Sequence, residues 1–184
     1  MKKFFMVTGL GILPLCAAQL AWAVTQGTLA PTSTMTINVE IEIGREVRVF
    51  NLDAIDLGTF DFALTQAQGT DTFCVYDNGA AFSQTYSITF TSGNNPGNYQ
   101  LASGANTIDY GLEYDDSQTG ANYRGVASGV PLTGNVNGSS GASNCSSVGG
   151  DNGQVRITVL NTQAQGSPSG TYTDTLSVLV EPEP

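Results

Sequence analysis

The chain contains no histidine. Histidine is the commonest general base near neutral pH and a frequent zinc ligand, so its absence removes every Ser-His and Cys-His nucleophile pair. The sequence also has no calcium-loop spacing and no glycine pattern of the kind that binds phosphate. We therefore expect a protein that is not an enzyme and that uses no cofactor and no metal.

Positive charge is scarce: six Lys and Arg stand against 16 Asp and Glu, which gives a net charge of −10. Such an acidic chain is a poor partner for nucleic acid or anionic lipid. The charge also fits a solvated outer surface, so by itself it identifies no ligand. We interpret the acidic run Asp109, Glu113, Asp115 and Asp116 as a solvated rim rather than a calcium site or a catalytic pair.

A long uninterrupted hydrophobic run is also missing. The apolar stretch from Phe4 to Leu15 is broken by glycine and proline and is shorter than the ~20 residues of a membrane-spanning helix. It follows two lysines and precedes Ala21-Trp22-Ala23, which is the layout of a cleavable export signal. We predict a signal peptide over residues 1–23, no membrane anchor, an N-terminal leader and strand over 24–44, and one domain over 45–184.

Cysteine is rare, and one of the three lies inside the predicted signal peptide. The exported chain keeps Cys74 and Cys145, an even number in a compartment where disulfides persist. We predict that these two are bonded to each other, which would stabilise the fold by ~4 kcal/mol on the chain-entropy model. The alternative is a pair of buried free thiols.

Apolar residues recur at every second position, and no stretch longer than a few residues has helical spacing. This pattern, punctuated by Gly, Asn and Pro, predicts an all-β, immunoglobulin-like sandwich. The predicted strands are 35–43, a strand through Val47 and Val49, 55–62, 72–76, 84–91, 98–101, 107–114, 154–160 and 171–180. The tail after Val180 is Glu-Pro-Glu-Pro, which cannot continue a central strand because proline lacks the ladder donor.

The first predicted strand allows two interpretations. It follows a short polar leader and places Ile37, Val39, Ile41 and Ile43 on one face. It could pair within its own chain as the first strand of a complete sandwich. It could instead insert into another subunit, where its backbone supplies ladder bonds and its alternate side chains fill pockets.

Tyrosines 110, 114 and 123 also allow two interpretations. Tyrosine offers a flat face and a hydroxyl, which suit a sugar-binding platform. Aromatic residues are equally common on packed strand faces. A self-contained secreted module that binds carbohydrate is therefore the alternative function from another class.

Several short segments, in this order, resemble the archaic chaperone-usher pilins that share the spore coat protein U-like domain. These are the alternating strand from Ile37 to Ile43, the step Ile55-Asp56-Leu57-Gly58-Thr59-Phe60, the strand Phe73-Cys74-Val75, the strand from Tyr86 to Phe90, and the closing Gly170-Thr171-Tyr172-Thr173-Asp174-Thr175-Leu176-Ser177-Val178. Val47 stands where many relatives have a cysteine, and the Glu-Pro tail extends past the closing strand.

The resemblance implies an immunoglobulin-like domain that lacks its last strand and leaves a groove beside Tyr172, Leu176, Val178 and Val180. In such pilins a periplasmic chaperone fills the groove. A donor strand from an identical or related subunit then replaces the chaperone during export through an outer-membrane usher. The resemblance thus implies a structural subunit of a pilus or fimbria at the cell surface, with a role in adhesion or biofilm.

Overall fold

The structure is a computed structural model that describes residues 32–33, 39–79, 85–140, 145 and 150–183. The chain divides into two units, residues 1–43 and 44–184. Within the described residues of the second unit there are ten strands and one four-residue helix. They are β1 Val47–Phe50, β2 Gln66–Asp77, β3 Tyr86–Ser92, β4 Gln100–Ser103, β5 Asn106–Asp109, β6 Gly111–Asp115, β7 Arg124–Gly125, β8 Leu132–Asn135, β9 Gly153–Leu160, α1 Asn161–Ala164 and β10 Leu176–Pro182. The all-β prediction is confirmed.

The larger sheet has five strands in the order β1-β2-β9-β6-β7, and every pairing is antiparallel. Its central strand β9 shows why the sequence folds this way. Val155, Ile157 and Val159 are buried, and the polar residues between them face outwards. That period of two gives the strand one apolar face for the core.

The second sheet has three strands in the order β10-β3-β8. In β3, Tyr86, Ile88 and Phe90 are fully buried and face the larger sheet. The rings of Phe90 and Tyr114, which come from the two different sheets, lie 5.8 Å apart. The two sheets therefore form a sandwich, and a separate β4–β5 hairpin lies at one end.

The predicted disulfide is present. Cys74 in β2 and Cys145 are joined across 71 residues of sequence, and both are fully buried. The bridge attaches Cys145 to β2, the second strand of the larger sheet.

The structure corrects several predicted strands. Residues 39–43 are not in a strand, and 35–38 lie outside the described residues. The stretch 55–60 is not assigned to a strand. The predicted strand 107–114 is two strands, because Tyr110 separates β5, which pairs with β4, from β6, which pairs with β9. The last strand begins later and ends later than predicted, at Leu176 and Pro182.

Candidate functional site: a groove at an open sheet edge

The edge of β10 opposite β3 has no partner strand among the described residues. The amide of Gly93 donates to the carbonyl of Thr175, and that of Glu183 donates to the carbonyl of Thr85, so odd-numbered residues of β10 direct their backbone towards β3. Backbone groups alternate in direction along a strand. The even-numbered residues therefore direct N–H and C=O to the open edge.

This alternation explains how β10 accommodates a proline. Pro182 pairs with Tyr86 in register but, as an even-numbered residue, would direct its N–H to the open edge. Proline is tolerated where the missing donor faces away from the ladder. The expectation that the Glu-Pro tail ends the strand after Val180 is therefore wrong by two residues.

An apolar groove of about 830 Å³ runs beside this edge. One wall is the segment 170–178, the other is the segment 52–60, and the floor comes from both sheets. The floor is made mainly of apolar and aromatic side chains: Ala67, Phe90, Leu101, Ile108, Tyr110, Val155, Ile157, Val159 and Ala164. An extended peptide is the ligand that fits an apolar groove beside an unpaired strand edge.

The wall formed by residues 52–60, which we call the strap, is not assigned to any strand. It follows the left-handed residue Asn51 at φ 62° and contains the left-handed residue Gly58 at φ 67°. Ile55 and Leu57 point inwards, and a Cβ atom at Gly69 of β2 would lie 2.5 Å from Ile55 Cγ2 and 2.9 Å from Leu57 Cδ2. Glycine at position 69 is therefore what lets the strap pack closely on β2.

At one end of the edge, Arg45 forms hydrogen bonds to the residues around the end of β10. Its guanidinium binds both carboxylate oxygens of Asp77, at 3.1 and 2.6 Å, and donates to the carbonyls of Thr85 and Glu183. The carboxylate of Glu183 in turn accepts from the amide of Gly134. These bonds tie the ends of β2 and β10 to the start of β3, and β1 lies next to β10 there.

The opposite end is shaped by Tyr110 and Asp174. Tyr110 donates to Asp174 Oδ2 at 2.7 Å, and Asp174 Oδ1 accepts from the amides of Thr175 and Asn94. Burial, and then the bond to Asp174, raises the pKa of Tyr110 far above its usual range, so its hydroxyl stays a donor. The aspartate of the closing sequence motif therefore fixes the turn that leads into β10.

The predicted groove residues lie as follows. Tyr172, Leu176 and Val178 line the groove, and Val180 lies further along β10, half-buried against the core. The sequence prediction did not include the strap or Gly69. Their signal was the pair Ile55 and Leu57, which looked like part of an ordinary strand.

The predicted donor residues lie in the first unit. Val39, Ile41 and Ile43 are 91%, 83% and 79% exposed. Ile37 lies outside the described residues. Three large apolar side chains at alternate positions are thus in water, separated by Glu40 and Glu42, which are exposed as well.

The sugar-platform interpretation fails on burial. Tyr110 is 4% exposed and Tyr114 is fully buried, with its hydroxyl 2.7 Å from that of Tyr86. The ring of Tyr123 is covered by the guanidinium of Arg156, 3.7 Å from the ring centre. These tyrosines therefore belong to the packed structure of the domain.

The solvated-rim interpretation is wrong for Asp115, which is fully buried. Burial by itself would raise the pKa of its carboxyl, but hydrogen bonds from Ser117 and Asn122 outweigh burial and lower the pKa below its usual value. Asp115 thus organises the turn after β6. Of the other acidic residues in the run, Glu113 forms an ion pair with Arg156 at 2.6 Å, and Asp109 is exposed.

Among the described residues, no group of three or more Cys, Asp or Glu side chains is placed to hold a metal ion. The same part of the chain contains no helix long and apolar enough to cross a membrane.

Comparison with known proteins gives one informative result. No family model matches the chain, and no curated protein matches it. One chain of a solved structure matches it. That structure is described as a chaperone–tip adhesin complex that is vital for synergistic activation of CFA/I fimbriae biogenesis. The two chains share a fold. The TM-score is 0.52 at 17% identity, and the match covers 75% of this chain but 42% of the solved chain.

Proposed function

We propose that this protein is a structural subunit of a chaperone-usher type pilus or fimbria that polymerises by donor-strand exchange. It has no enzymatic role in this proposal. The observation that carries the proposal is the groove, which lies between the strap and the open edge of β10 and offers backbone bonds as well as apolar surface. The fold shared with a chain of a chaperone–tip adhesin complex supports it.

The donor segment is residues 35–43 of a second copy of the chain. Its exposed apolar residues alternate with glutamates, so one face suits the groove and the other suits water. In an antiparallel pair, Val39 and Ile41 would face the groove while their backbone groups bond the even-numbered residues of β10. An unfilled groove leaves apolar surface and ladder donors in water, so the subunit gains stability from its partner.

The proposal also includes partners that act before assembly. A periplasmic chaperone would occupy the same groove before export, and an outer-membrane usher would pass the subunit to the growing fibre. The buried tyrosines leave the alternative of a carbohydrate-binding module without its platform. The fibre would act at the cell surface in adhesion or biofilm.

A pair of matched substitutions in the donor segment tests the proposal. Ile41→Asp places a carboxylate on the apolar face, and Asn38→Asp adds the same charge on the polar face. We expect Ile41→Asp to abolish polymer while export continues, because a charge entering an apolar groove without a partner is strongly unfavourable. Asn38→Asp should leave most polymer in place. Electron microscopy and size-exclusion chromatography measure both, and polymer of normal length from Ile41→Asp would contradict the proposal.

The acceptor role is tested separately. The Ile41→Asp chain, whose own donor is disabled, should bind a synthetic peptide of residues 35–43 and melt at a higher temperature in its presence. The same peptide carrying Ile41→Asp is the control and should not bind. No gain in melting temperature with the unmodified peptide would count against the groove as an acceptor.

A further inference from the structure

The loop between the strap and β2 holds large apolar side chains in water. Phe62, Leu64 and Leu160 are 57%, 56% and 43% exposed. We call these three apolar residues the pole cluster, because they lie at one pole of the sandwich. Leu160 is the last residue of β9 and pairs with Gln66, the first residue of β2. All three therefore come together where β2 begins and β9 ends.

The loop that carries the cluster is fixed by hydrogen bonds. The side chain of Asn161 donates to the carbonyls of Phe62 and Leu64 at 2.9 and 3.0 Å, and its amide donates to the carbonyl of Thr65. Asp61 accepts from the amides of Ala63 and Leu64. These five bonds fix the backbone of the loop, and large exposed apolar side chains grouped together are typical of interaction surfaces.

The cluster borders the end of the groove where Phe60 lies. The ring of Phe62 lies 5.1 Å from that of Phe60, which lines the groove, whereas residues 61–64 do not line it. In an antiparallel pair with β10, a donor strand ends beside Leu176, the first residue of β10, which lines the groove as Phe60 does. The rest of the donor chain therefore leaves the groove at the end that the cluster borders.

We infer that the pole cluster is a second contact surface, against which the domain of the donor subunit packs. This inference rests on the proposed function. The donor segment ends at Ile43, and the domain begins at the very next residue, Gly44. Consecutive Cα atoms are about 3.8 Å apart, so Gly44 of the donor lies close to the end of the groove that holds Ile43. The pole of the donor's domain that carries Gly44 therefore faces the cluster.

This contact makes assembly directional. One pole of each subunit meets the opposite pole of the next, which is a head-to-tail interface, and such interfaces build open linear polymers. The donor strand supplies the bond between subunits, and the cluster sets the angle between them. A subunit without the cluster contact would still accept a donor strand but would form polymer less readily.

The test separates groove binding from packing at the cluster. In the full chain, Phe62→Ser with Leu64→Ser removes two of the three cluster side chains, and Leu64→Ser alone is the milder variant. The control is Val130→Ser, at a site outside the cluster that is 53% exposed. We expect the rate of polymer formation, measured by light scattering, to fall about tenfold in the double variant and less in Leu64→Ser. The reason is that each substitution removes apolar area that contact with the donor subunit would bury. Val130→Ser should stay within about twofold of the parent.

Peptide binding is measured in parallel. With Ile41→Asp added to each chain, the peptide of residues 35–43 should bind the double variant and the parent with affinities within about twofold. Polymer formation equal to that of Val130→Ser would overturn the inference, and so would loss of peptide binding in the cluster variants alone. Failure of the parent to bind the peptide would instead overturn the proposed function.

Discussion

At Gly69 a Cβ would lie within 3 Å of methyl groups of Ile55 and Leu57, so the strap or these side chains would have to move. Gly69→Val should therefore push the strap away from β2 and destabilise the domain by about 1–3 kcal/mol, the usual cost of overpacking. Urea unfolding measures this, and peptide binding should weaken as well because the strap is a groove wall.

Gly125→Val is the matched control for this substitution. Gly125 is also in a strand, its φ is not positive, and nothing lies within 4 Å of the position of its Cβ. Equal destabilisation by the two substitutions would mean that the cost comes from valine itself and that the close approach of the strap is unimportant.

Individual charged residues were the least predictable part of the site. Arg45 pairs with Asp77, 32 residues away, and Asp174 bonds Tyr110, 64 residues away. Residue type gives no information about such distant partners, which are set by the packing of the sheets. The acidic run around Asp115 shows the same limit, since local composition indicated solvent and the fold buries that carboxylate.

Strand β10 offers a test at the level of a single element. In the Ile41→Asp chain, the amides of Leu176, Val178 and Val180 face the open edge, whereas those of Ser177 and Leu179 bond β3. Residue-resolved hydrogen exchange by NMR should show fast exchange at the first three and slow exchange at the other two. Adding the 35–43 peptide should slow the first three.

The alternation is what makes this measurement decisive. A peptide that merely occupies the apolar groove would shield side chains without bonding the backbone, and would leave the exchange of Val178 and Val180 nearly unchanged. Equally slow hydrogen exchange at all five β10 amides before the peptide is added would likewise argue against an open edge that accepts a strand. The peptide carrying Ile41→Asp serves as the negative control.

Alternation in the sequence predicted which residues are buried better than it predicted which strands pair. Ile108, Tyr110, Leu112 and Tyr114 are all buried, as a single strand would have them. The partner nevertheless changes at Tyr110, because the pattern records only which side faces the core. The strap shows the same distinction, since Ile55 and Leu57 are partly buried by packing against the core without a ladder partner.

At the scale of the whole molecule, assembly brings acidic bodies together. The chain carries a net charge of −10, and loss of the predicted signal peptide, which holds two lysines and no acid, makes it more acidic still. The donor segment contributes Glu40 and Glu42, and exposed Asp53, Asp56 and Glu181 flank the groove. Like charges of this kind slow encounter over a distance set by the Debye length, about 30 Å at 10 mM salt and about 8 Å at 150 mM.

Association of the 35–43 peptide with the Ile41→Asp chain should therefore speed up by about tenfold as salt rises across that range, because added ions screen the repulsion. Stopped-flow fluorescence measures the rate. A peptide with Glu40→Gln and Glu42→Gln should associate faster at low salt and respond less to added salt. If association slows as salt rises, attraction between unlike charges governs the encounter, and the acidic surface has been assigned the wrong role.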